Sequence, residues 1–150
     1  MRMRNFRDRH GRGVRGPLFP QSVPRYQTRS QRFDALVLDA YAPLHQRYAA
    51  QLRNLDIAID LVPRMRHHAP GFFTDEVFAD GSVPLGRVIP AGIDAAGAPT
   101  RPRLVLFRTP IEQRSRTLED RRSLIHTALV ALLANHLNMS PTDIDPGYRW

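Results

Sequence analysis

The sequence has 150 residues and contains neither cysteine nor lysine. The first absence excludes a disulfide framework and any zinc site built on thiolates, and it leans the expected setting toward the cell interior. Long apolar runs are missing too. The longest, from Ala128 to Ala134, falls far short of the roughly 20 residues that cross a bilayer. Near Met1 there are charges but no apolar stretch of the secretory kind. The expectation is a cytoplasmic protein with no membrane partner. Walker-type phosphate loops and the GxSxG nucleophile elbow are also absent, which removes common nucleotide-binding and hydrolase signatures. The glycine-rich "HGRGVRG" at 10–16 follows no strand and opens no helix, so it is not a phosphate cradle.

What is present is arginine. All 22 basic residues are of this type, as the codons of a GC-rich genome favour. Their placement is more telling than their number. Residues 1–33 hold nine arginines against one acid, a net +8, whereas residues 34–150 hold 13 of each sign and are neutral. Arg2, Arg4, Arg7, Arg9, Arg12 and Arg15 are interleaved with Gly11 and Gly13 and followed by Gly16, Pro17, Pro20 and Pro24. Glycine and proline at this density oppose a helix, and too few apolar side chains accompany them to offset ordering entropy. The prediction is an extended basic arm over 1–30 and one ordered domain over 31–150, whose 42% hydrophobic content supplies a core.

Within that domain, Phe33, Leu36, Val37, Ala40, Leu44, Tyr48, Leu52 and Leu55 recur at steps of three and four, predicting an amphipathic helix that Pro43 kinks or restarts. "LDIAIDLVP" alternates as a strand over 55–61. Residues 64–82 have no sustained period and predict a long loop with one short helical turn. Two strands, 83–90 and 103–109, follow around a flexible "AGIDAAGAPT" connection. From Thr117 to Leu137 an apolar stripe widens until it nearly encircles a helix, which should be central and buried; Thr117 with Asp120 is a variant capping signal at its start. Ser140 and Pro141 signal another helix start. The fold class is α+β: an N-terminal helix, a small three-stranded sheet and a long buried C-terminal helix, preceded by the arm.

Six histidines are the candidate metal ligands. His126 and His136 lie ten residues apart on one helix, about 15 Å in rise and about 80° around the axis, and cannot share a metal. His67 and His68 are adjacent in the predicted loop with no partner ligand suggested nearby. His126, at the start of a buried helix, reads as a hydrogen-bonded packing residue.

The segments "FDALVLDA" at 33–40, "VPLGRVIP" at 83–90, "LVLFRTPIE" at 104–112 and "LIHTALVALLANHLNMSPTDIDPGY" at 124–148, in this order, resemble the minimal zincin-like metallopeptidases of bacteria, and "RDRHGRGVRGP" at 7–17 is similar to the arm of their actinobacterial branch. The resemblance implies a zincin-like minimal domain. It also implies a zinc motif HExxHxxGxxD on the last helix, with two histidines and an aspartate as ligands and a glutamate as base. Aligned on the turn before "SPTDI", those positions hold Ala131, Leu132, Asn135, Asn138 and Pro141. None is a competent ligand or base, although Asn138 suits the left-handed turn. A register starting at His126 reads "HTALV" and lacks both glutamate and second histidine.

The expected protein therefore has no catalytic residues, metal or cofactor: a pseudoenzyme whose arm, through Arg2, Arg4, Arg7, Arg9, Arg12 and Arg15, docks on RNA or the ribosome by phosphate contacts and base stacking. One alternative is a metal-dependent peptidase with displaced ligands from His67, His68 or His126. Another is a peptide-binding module that uses the zincin groove, with "LVLFRTP" as an edge strand.

Overall fold

The computed structural model describes residues 27–63 and 77–150; the arginine-rich segment, as far as residue 26, and most of the predicted loop lie outside these. The chain divides into two units between Asp34 and Ala35, inside the first helix. That helix, α1, runs Arg29–Arg47. Its start is fixed by reciprocal bonds: Gln31 N–H donates to Thr28 Oγ1 at 3.1 Å, and Thr28 N–H donates to Gln31 Oε1 at 2.9 Å. This capping box satisfies two of the donors that a helix end leaves without partners. The helix continues through Pro43 as one element rather than restarting there.

In the second unit the sheet has four strands among the described residues, not three. β1 (Asp56–Asp60), β2 (Val77–Asp80), β3 (Val83–Ile89) and β6 (Arg103–Phe107) stand in the order β1-β6-β3-β2. β6 runs parallel to β1 and antiparallel to β3, and β2 and β3 form a hairpin. β2 replaces the end of the predicted loop. At four residues it is too short to show a period, and its signal was the turn: Gly81 has φ +58° as the first central residue of a two-residue connection, where a type II′ hairpin places glycine.

Two further expectations are corrected. The strand predicted over 103–109 ends at Phe107, and α2 (Arg108–Arg114) begins directly after it. Pro110 sits in the first turn of α2, where its missing N–H has no helical partner to lose. The "flexible" connection is a second hairpin, β4 (Gly92–Ile93) with β5 (Pro99–Thr100). Its turn is held by Asp94 Oδ1, which accepts from the N–H groups of Ala96 and Ala98, both at 2.9 Å.

The predicted central helix is α3 (Leu118–Leu137). Its capping signal is complete: Asp120 N–H donates to Thr117 Oγ1 and Thr117 N–H to Asp120 Oδ2. Ile125, Ala128, Leu129, Val130, Leu132, Leu133 and Ala134 are all buried, so apolar contact surrounds much of the helix. Sheet and helix meet at Gly86. The register sets Phe78, Gly86, Leu106 and Ile59 in one row across the sheet, and a Cβ on Gly86 would stand 2.9 Å from Leu132 Cδ1 and from Val105 O. Only glycine allows this approach without displacing backbone. α4 (Pro141–Ile144) follows, started by Ser140 with Asp143 in a third capping box, with Pro141 at the predicted first position.

Candidate functional site

The end of α3 carries the positions at which the resemblance expects zinc chemistry. Ala131 and Asn135, one turn apart and half-buried, stand where the two histidines would be. Leu132, at the position of the base, is 2% exposed and packs toward the sheet at Gly86. Asn138 takes the left-handed conformation at φ 53°, ψ 43°, the predicted turn. Met139 N–H donates to Ala134 O at 2.9 Å and Asn138 N–H to Asn135 O at 3.3 Å, the bonding pattern of a Schellman cap. Pro141, in place of the third ligand, opens α4.

The turn has the backbone geometry that the resemblance expects, while its side chains offer a metal little. Methyl, isobutyl and pyrrolidine groups carry no lone pair, and an amide is a poor substitute for imidazole or carboxylate. These residues do not fit a zinc ion. Among the described residues no group of three His, Cys, Asp or Glu side chains lies close enough to hold a metal. His67 and His68 fall outside the described residues, as do Arg2, Arg4, Arg7, Arg9, Arg12 and Arg15.

His126 is bonded rather than free, as its place at a buried helix suggested. Its Nε2 lies 2.9 Å from Asp145 Oδ2. No spacing in the sequence points to Asp145 as the partner. It arrives because the Schellman turn and α4 fold the chain back along α3. Asp145 Oδ1 accepts from Gly147 N–H at 2.9 Å. The hydrogen bond from His126 and that from Gly147, with the nearby positive charge of Arg47, hold the Asp145 carboxyl below the usual carboxylate range against the opposing effect of burial. Arg47, in the last turn of α1, donates from Nη1 to Ile144 O at 2.8 Å and lies 5.6 Å from the centroid of the Tyr48 ring. Burial pushes the His136 imidazole down, which favours its neutral form.

A histidine held by a carboxylate is the base half of a nucleophilic triad. Among the described residues His126 has Asp145 as its bonded partner and no hydroxyl on its other nitrogen, so the pair fastens the C-terminal segment to α3. The "LVLFRTP" segment is not an edge: β6 has β1 on one side and β3 on the other, and its backbone groups are spent on them. Among the described residues the edges are β1 and β2.

No protein-family model matches the chain, and no curated protein matches it significantly. Function has to be read from its own residues.

Proposed function

We propose that this chain is a non-catalytic binding protein on a zincin-like scaffold, working in the cytoplasm and docking on RNA or the ribosome through its basic N-terminal segment. The observation that carries the reading is charge segregation: the entire net +8 lies in residues 1–33, and the remaining 117 are neutral. Guanidinium groups spaced by glycine suit phosphate contacts and stacking on unpaired bases. The loss of zinc chemistry is supported by Ala131, Leu132, Asn135, Asn138 and Pro141, which offer neither a ligand set nor a base. A neutral domain bearing one basic segment would hold RNA by that segment and leave its own surface for a second role.

The test is removal of residues 1–16. The intact chain should bind single-stranded RNA or ribosomes with a log–log salt slope of about −0.7 per phosphate contacted, with little preference for sequence. Truncation should flatten the slope and weaken binding while leaving the unfolding midpoint unchanged. Equal affinity and slope in both forms would overturn the reading. Metal analysis of the same preparation should find no stoichiometric zinc; about one tightly bound zinc per chain would return the peptidase reading to first place.

A further inference from the structure

We propose that the outer edge of β1 accepts an extended basic peptide as an additional strand. This is a second binding surface, independent of the N-terminal segment and of any zincin assignment. β1 ends the sheet order. Asp56 N–H donates to Pro102 O at 3.0 Å, and the parallel register runs unbroken from Asp56 opposite Arg103 to Asp60 opposite Phe107. By alternation, the backbone groups of Asp56, Ala58 and Asp60 face β6, and those of Ile57 and Ile59 face outward. No strand among the described residues takes them. Just beyond, Leu61 O accepts from Thr109 N–H at 3.0 Å, which pins this end of the edge against the sheet.

The two edges are treated differently. β2 is guarded: a bulge breaks its register between Phe78 and Ala79, the Trp150 ring lies 4.7 Å from that of Phe78, and Arg114 Nε holds Asp80 Oδ2 at 2.7 Å. Bulges, covered side chains and engaged charges are devices that keep a sheet edge from pairing. β1 has no bulge and no cover among the described residues. Among the described residues its one device is two carboxylates, and these decide the partner.

Asp56, Ala58 and Asp60 lie on one face of the strand, with the acids about 13 Å apart at about 3.3 Å per residue. Neither acid forms an ion pair among the described residues, although Asp56 stands opposite Arg103. A second copy pairing antiparallel about Ala58 would set Asp56 against Asp60 twice over, a like-charge opposition that resists self-association. A strand with Arg or Lys at positions four apart meets both acids instead. Leu61 and Val62, 54% and 47% exposed at the end of β1, offer an apolar footing beside the charges. Main-chain bonds would supply attachment, and the paired acids would supply selection.

The experiment titrates the full chain with a fluorescein-labelled peptide of sequence TRVTVRT, read by anisotropy and by amide hydrogen exchange. Saturating binding should slow exchange of the Ile57 and Ile59 amides. Replacing both peptide arginines by glutamate should weaken binding by about tenfold or more, the sum expected of two exposed ion pairs at about 0.7 kcal/mol each. The Asp56→Asn/Asp60→Asn chain, checked for an unchanged melting profile, should lose a similar factor. N-methylation of alternate peptide amides should remove binding with the native chain, so the proposal can fail without relying on any variant's folding. No saturable binding, equal binding of the glutamate peptide, or unchanged exchange at Ile57 and Ile59 would each overturn it.

Discussion

The two long helices are almost equal in length and unequally held. α3 has two acids in its first turn, a capping box, a Schellman cap and seven buried residues. α1 has a capping box too, but no acid in its first turn, a proline in its body, and Leu38 left 62% exposed. α3 turns aliphatic groups toward the sheet, with Leu132 closing on Gly86. It serves as the axis of the core.

The largest effect should come from breaking α3 where it meets the sheet. Leu132→Ala removes the side chain that closes on Gly86 and should cost about 2–5 kcal/mol in urea unfolding, because a site so tightly enclosed cannot collapse around the lost volume. Leu38→Ala on α1, an equal change of side chain, should stay within about 0.5 kcal/mol. Similar losses at both positions would dissolve the contrast between the helices.

Much of this contrast was legible in the sequence, because helical periodicity and capping chemistry are local. The α3 stripe, Thr117 with Asp120, and Ser140 with Pro141 all appear in the structure where the sequence put them. Less legible was whatever depended on short elements or distant pairing. β2 has four residues and α2 seven, both too short for a period to emerge, and the Thr28–Gln31 box straddles the expected start of order at residue 31. Strand order cannot be read from composition, and β6, expected at an edge, lies inside the sheet. The Asp145 partner of His126 depends on a turn that reverses the chain over 19 positions. The candidate zinc positions were legible as residue types; that Leu132 is walled in by Gly86 was not.

An effect of intermediate size should come from the caps. Thr117→Ala leaves the Asp120 N–H without its acceptor and should cost about 1 kcal/mol of global stability, since α3 unfolds only with the core. Thr28→Ala removes the corresponding acceptor from α1, where the bonds are exposed. There the loss should appear as faster amide exchange in the first turn with an unfolding midpoint that hardly moves. Equal shifts in the midpoint would mean that α1 is as tightly coupled to global unfolding as α3.

The smallest effect concerns the tie between α3 and the segment after α4, and its signature is a dependence on pH. Asp145 has its carboxyl held below the ordinary range by His126 and Gly147. A group depressed in the folded state contributes stability that is fully present above its unfolded value and is lost as pH falls through its folded value. Asp145→Asn should therefore cost a few tenths to about 1 kcal/mol near neutral pH, the scale of a partly exposed pair. The difference from the native chain should vanish at the acid end, where the native carboxyl is itself protonated. The check is a series of urea melts from neutral pH downward. A gap that persists unchanged into acid would assign the loss to packing or to the Gly147 turn rather than to charge. If the pair acts only as a fastening, the same substitution should leave RNA affinity and its salt slope untouched, because Asp145 adds nothing to phosphate contact. A change in that slope would bring the C-terminal segment into the nucleic-acid interface and make α3, through His126, more than the axis of a core.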